Sequence, residues 1–202
     1  MVGNDVVDLG DLEAQLGAIH PRFGARVFAP SELEALGASG ARNRLRWILW
    51  AAKEAAYKVV RKLDARASFS PSRFVVNLDA SLRGAVEHEG RILPVRIEEE
   101  AARIHAIVST CDTSDPRVYS RSAPIEESVE VSAAARTLAI DTIAPVLGVP
   151  PEDLEIVRSG RIPLLLRRGG RACGDLSLSH HGRFVAFACE ISATSRQWRT
   201  EA

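Results

Sequence analysis

Three short stretches hold residues whose types and spacing could do chemistry. The first is Gly3-Asn4-Asp5-Val6-Val7-Asp8, in which Asp5 sits inside an apolar run. A carboxylate there is costly unless it is paired or binds a metal ion; the plainer alternative is a strand-end Asp that caps a turn. The second is Trp50-Ala51-Ala52-Lys53-Glu54-Ala55-Ala56-Tyr57-Lys58. Glu54 and Lys58 are i and i+4, so they share one helix face. Read alone, they form a solvated ion pair worth a few tenths of a kcal/mol. The third is the run from Leu176 to Ala188, with Ser179-His180-His181-Gly182 at its centre. Ser179, His180 and the turn N–H groups could receive a phosphate; the alternative is a polar turn with no ligand. Neighbouring strand residues point to opposite faces, so Ser179 and His180 are not a nucleophile–base pair. The nucleophile-elbow pattern G-x-S-x-G is absent as well.

These residues need elements to hold them. Val2 to Leu9 reads as a strand ended by Gly10, and residues 11–19 as a short helical stretch with Asp11 as N-cap. Ser31 as N-cap and Glu34 as N3 of a capping box would open the next helix. The strongest helix runs from Arg42 to Leu63. Its apolar residues Leu45, Ile48, Leu49, Ala52, Ala56, Val59, Val60 and Leu63 recur at helical spacing. Residues 73–78, 92–97 and 103–109 read as strands, with a turn at Glu89-Gly90. Residues 111–127, rich in Ser, Asp and Pro, read as a linker. Beyond it, residues 133–147 form a helix closed by Gly148 and Pro150-Pro151. Strands at 154–157, 163–166, 176–179 and 184–191 follow. The expected fold is therefore α+β: lobes 1–110 and 128–202, each a helix packed on antiparallel strands, as a pseudo-dimer.

Composition narrows the function. The 202 residues carry 26 Lys+Arg against 26 Asp+Glu, a net charge of zero. That balance argues against a polyanion binder, so no nucleic-acid partner is expected. The start, MVGNDVVDLG, has no basic segment before an apolar one and does not read as a secretory signal. No run of apolar residues is long enough to cross a membrane. Cys111, Cys173 and Cys189 are odd in number with no C-x-x-C, so we expect reduced cytoplasmic thiols rather than disulfides or a zinc site.

Taken together, the three stretches resemble the 4′-phosphopantetheinyl transferase superfamily. That family has a G-x-D strand, a W-x-x-K-E-A-x-x-K helix and an S-H-x-G-x-x-V-x-x-A hairpin. Here they stand as Gly3-Asn4-Asp5, Trp50–Lys58 and Ser179–Ala188. Phe28 to Glu32 looks like its F-x-x-x-E segment. Gly160-Arg161-Ile162-Pro163 looks like its G-K/R-P loop with one residue extra. In the two-lobed, surfactin-type members the Ser-His lobe comes first; here it comes second. The resemblance thus implies a two-lobed transferase with its lobes in circularly permuted order, working as a monomer. The rival is the compact holo-acyl-carrier-protein synthase type, a shorter trimeric chain with the same motif order.

The resemblance also implies a reaction. The family moves the phosphopantetheine arm of coenzyme A onto a serine hydroxyl of an acyl or peptidyl carrier protein and releases adenosine 3′,5′-bisphosphate. It implies Asp5 and Glu54 as Mg²⁺ ligands, with Val7 where surfactin-type members have a third carboxylate. Glu54 would also deprotonate the carrier serine, and Lys58 would bond the α-phosphate or protonate the leaving group. Ser179, His180, Arg161 and Arg136 would bind the nucleotide phosphates. Zero net charge then implies segregation, with acid at the metal and base around the phosphates. The alternative is a non-catalytic relative that binds coenzyme A or a carrier protein.

Overall fold

A computed structural model describes residues 1–15, 20, 22–126 and 129–192. Its elements in chain order are β1 (Val2–Asp8), α1 (Phe23–Val27), α2 (Pro30–Ala38), α3 (Arg42–Leu63), β2 (Val75–Leu78), β3 (Arg83–His88), β4 (Arg91–Glu100) and β5 (Arg103–Ser109). Then follow β6 (Val118–Pro124), α4 (Val131–Leu147), β7 (Leu154–Ser159), β8 (Ile162–Arg167), β9 (Arg171–His181) and β10 (Phe184–Ile191). Two five-stranded sheets result, in the orders β1-β5-β4-β3-β2 and β6-β10-β9-β8-β7. All strand pairs are antiparallel. The α+β class and the two similar lobes are as expected.

Each sheet buries one face under one helix. α3 lays Ile48, Leu49, Ala52, Ala56, Val59 and Val60 against Val86, Val95, Ile104, Ala106 and Val108. The sequence stripe named most of these, although Leu63 ends up 41% exposed. α4 packs Ala139, Ile143 and Ala144 on Leu165, Leu176, Phe187 and Ile191 of the second sheet. It starts at the side chain of Glu130, which accepts from Ser132 N and Ala133 N. It stops at Gly148, left-handed with φ 66°. Cys173 and Cys189 are core residues, and all three cysteines are free thiols.

Some expectations change. α2 is capped two residues earlier than the expected Ser31. Pro30 takes the first helical position, Ala29 is the N-cap, and Glu32 rather than Glu34 accepts from the cap N–H. The stretch after Gly10 holds a short 3-10 turn, Leu12–Ala14, with Asp11 capping it; residues 16–19 lie outside the described residues. A strand, β3, lies between the first two expected ones, so Glu89-Gly90 joins β3 to β4. Both turn residues have positive φ, as a tight hairpin turn requires. The segment read as a linker contains β6, an edge strand whose backbone pairs with β10. Its Ser-rich composition suits an edge strand, and its partner is far away in sequence.

The lobes meet along β1. Its even residues face the second sheet: Asn4 N donates to Ser177 Oγ at 3.0 Å, and Asn4 Nδ2 donates to Ser179 Oγ at 2.8 Å. Asp8 takes Arg183 in a bidentate pair, with Nε to Oδ2 and Nη2 to Oδ1 both 2.8 Å. Its Oδ1 also accepts from Gly10 N at 2.8 Å. Val2, Ile107, Val118 and Ala188 form a small apolar cluster between the lobes.

Candidate functional site

The odd residues of β1 face α3. Gly3 is the point of closest approach: a Cβ there would lie 2.1 Å from the carbonyl oxygen of Ala55. Only glycine lets the helix ride this close to the strand. Two residues on, Asp5 meets the same helix one turn further along. Lys58 Nζ lies 3.0 Å from Asp5 Oδ1 and donates to Asn4 O at 2.7 Å. Lys58 thus pairs with Asp5 instead of forming the solvated i, i+4 pair with Glu54 that helix spacing alone would give. Val7 continues this face into the core, 2% exposed.

Glu54 is half-buried beside them. Burial pushes its carboxyl up to about 7, and the charge of Asp5 adds to the rise while Lys58 opposes it. A carboxylate poised near neutrality in a cleft is what general-base work requires. Asp5 and Glu54 also make a hard-oxygen pair whose mutual repulsion a divalent cation would relieve. Mg²⁺ is usually held by one or two carboxylates, with water and substrate phosphate filling the rest. The donor set fits that pattern, although no cluster of three or more metal-ligating side chains exists among the described residues.

Lys53, the other charged residue of the helix motif, points away from the cleft. It is fully buried and donates to Glu32 Oε2 at 2.7 Å and to the carbonyls of Pro71 and Phe74. Glu32 in turn accepts from Ala29 N at 2.7 Å and Val76 N at 2.9 Å. Glu32, the F-x-x-x-E glutamate, thus binds α2 to α3 and to β2.

The cleft itself has a volume of about 240 Å³ and is lined by both lobes. α3 contributes Glu54, Tyr57, Lys58, Arg61 and Lys62; the second lobe contributes Arg161 to Pro163 and Ser177-Leu178. Arg161 occupies the turn between β7 and β8, where Gly160 is left-handed at φ 61°. The extra residue Ile162 does not remove Arg161 from the cleft, because it pairs with Ser159 and opens β8. Lys62 fastens the two walls. Its Nζ donates to Val2 O, Asp175 Oδ2 and Leu176 O at 2.7, 2.8 and 2.8 Å.

The remaining expected residues stand elsewhere. Ser179 is buried between the lobes, bonded to Asn4. His180 is exposed on the opposite face of β9, beside Glu130 at the start of α4. Arg136 lies near the same Glu130, and its buried Nε has no hydrogen-bond partner among the described residues. Asp8 is fully engaged by Arg183 and Gly10. Arg61 and Lys62 line the cleft without having been expected from the sequence. Their spacing of seven and eight from Glu54 puts them on its face and could have found them.

No curated protein matches the chain. A family model described as the 4′-phosphopantetheinyl transferase superfamily matches residues 1–112. The matched span holds the G-x-D strand, the Lys53–Glu32 pair and the Glu54–Lys58 helix face, which is the whole first lobe. The match covers over half of the length, including Asp5, Glu54 and Lys58, and this chain belongs to the 4′-phosphopantetheinyl transferase superfamily.

Proposed function

We propose that the protein transfers the 4′-phosphopantetheine arm of coenzyme A to a serine hydroxyl of an acyl or peptidyl carrier protein, with release of adenosine 3′,5′-bisphosphate. The observation that carries this reading is the two-lobed cleft, where Glu54, raised to about 7, stands beside Lys58 and Asp5 and faces Arg161. Ligand sites between lobes are common, because both walls can then grip one molecule.

In this reading Glu54 takes the proton from the carrier serine. The serine oxygen attacks the pantetheine-side phosphorus, and the bond to the nucleotide phosphate breaks. Lys58 neutralises the charge that collects on the leaving phosphate. To do so it exchanges its contact with Asp5 for the substrate. Asp5 and Glu54 would hold Mg²⁺, which when bound neutralises diphosphate charge. Arg161 and Arg61 would hold the nucleotide phosphates at the cleft mouth. Ser179, His180 and Arg136 carry the same role by resemblance, for the 3′-phosphate. The two lobes, 1–110 and 128–202 in permuted order, would act as one monomer.

Mass spectrometry tests the reaction. An apo-carrier protein incubated with the chain, coenzyme A and Mg²⁺ gains one phosphopantetheine arm. Carrier protein of unchanged mass, across fatty-acid, polyketide and peptide carriers, refutes the transfer.

A further inference from the structure

A second cavity lies on the other side of α3. Val60, Leu63 and Asp64 line it, on the helix face turned away from Glu54 and Lys58. Its volume is about 220 Å³. Arg66, Arg73 and Arg91 surround it, with the hydroxyl residues Ser68 and Ser70 and the imidazole of His88. Arg66 and Arg91 have no ion pair among the described residues, and Arg73 has only a solvent-exposed contact with Glu89 at 3.5 Å.

His88 is the buried member, 7% exposed. Its ring stacks on Phe74 with centroids 3.9 Å apart and planes 3° from parallel. Its Nδ1 lies 3.3 Å from the carbonyl oxygen of Arg73, which can only accept, so this contact takes the tautomer with Nδ1–H. Nε2 is then an acceptor, and it has no hydrogen-bond partner among the described residues. Glu89 Oε2 stands 3.8 Å away, beyond hydrogen-bond reach. The carboxylate of Glu89 hovers between Arg73 and His88. It belongs to an exposed turn and can swing out.

We propose that this cavity binds phosphate, with Glu89 as the group it displaces. Three guanidiniums then face one carboxylate, Asp64, and the roughly half negative charge at the end of α3, so the local field stays positive. Asp64 is already turned to Arg66 N, at 2.8 Å. Ser68 and Ser70 donate to phosphate oxygens. His88 Nε2 accepts the O–H that hydrogenphosphate carries and sulfate at neutral pH does not. The site is independent of the transfer reaction, because none of its residues lines the cleft with Glu54.

The test is a titration of the full chain with inorganic phosphate at pH 8, read by the NMR signals of the His88 imidazole. That probe is local, so phosphate in the other cleft does not confuse it. A saturable shift with a millimolar midpoint is expected. The R66Q/R91Q variant, altered only at exposed side chains, should weaken binding about tenfold or more, and E89Q should tighten it about threefold. Sulfate should bind more weakly than phosphate. No saturable shift, or an affinity indifferent to R66Q/R91Q, overturns the site; sulfate binding equal to phosphate overturns the part given to His88.

Discussion

The Lys53–Glu32 pair offers the sharpest test of how the helix motif divides its labour. Glu32→Gln would leave the Lys53 ammonium, with no solvent exposure, facing two neutral carbonyls. The new amide would also turn a donor toward Ala29 N or Val76 N, which Glu32 now accepts from on both oxygens. Removing one partner of a buried pair costs about 3–5 kcal/mol. In a domain of this size that is a fall in Tm of about 6–20 °C. Lys53→Met should cost a similar amount by stranding the Glu32 carboxylate. The double variant E32Q/K53M removes both charges but still orphans backbone groups, each worth about 1–3 kcal/mol. It should cost clearly less than the two singles together, with a coupling of at least about 2 kcal/mol. Urea unfolding at fixed pH measures all four proteins, and phosphopantetheine transfer per folded molecule should be retained throughout. Single variants within about 1 kcal/mol of the parent, with an additive double, would refute the claim that Lys53 is a buried fastener. So would a folded K53M protein with no activity.

Further outcomes follow from the same geometry. Glu54→Gln should abolish transfer while coenzyme A still binds; unchanged turnover removes Glu54 from the chemistry. Because the folded pKa of Glu54 is raised to about 7, the native state keeps a proton that the unfolded chain loses near pH 4.5. Stability should therefore fall by about 1–3 kcal/mol as pH rises from 4.5 through 7 without divalent cations, and E54Q should lose that slope in urea titrations. Asp8 behaves in the opposite sense. Arg183 holds its carboxyl down to about 2, so its contribution is intact above about pH 4 and lost as pH falls toward 2. Asp8→Asn should flatten that acid limb; an unchanged acid limb would show the Arg183 contact to be idle. His180→Ala should weaken coenzyme A binding with little effect on kcat, by titration calorimetry. Unaltered affinity would leave Arg61 and Arg161 to hold the nucleotide.

The first lobe was largely legible in the sequence because its signals are local. The apolar period gave α3, from about Arg42 to Leu63. The short apolar run Arg103–Ser109 gave β5 equally well, and in the second lobe the run Phe184–Ile191 gave β10. β3 was missed because Arg83-Gly84-Ala85 has no apolar alternation. Its place is set by pairing with both β2 and β4. β6 was hidden for a related reason: an edge strand needs few apolar residues, and its hydrogen bonds come from β10. The capping of α2 turned on Glu32, whose burial against Lys53 no local rule announces.

For the site, residue types and spacing determined only that Glu54 and Lys58 share a helix face and that Asp5 lies in an apolar strand; the family resemblance joined the three. A carboxylate in an apolar strand and a Glu/Lys pair on one helix face are properties of the chain itself. Tertiary structure decided which partners they take. It gave Lys58 to Asp5 rather than to Glu54, drew Lys53 into the core, and brought Arg161 across the cleft from about a hundred residues away. The physical reason is range. Periodicity fixes what faces what within one element, whereas desolvation and charge depend on which other element packs there. Glu54 is raised to about 7 by burial and by Asp5, 49 residues earlier in the chain, and neither cause is written in the residues beside it.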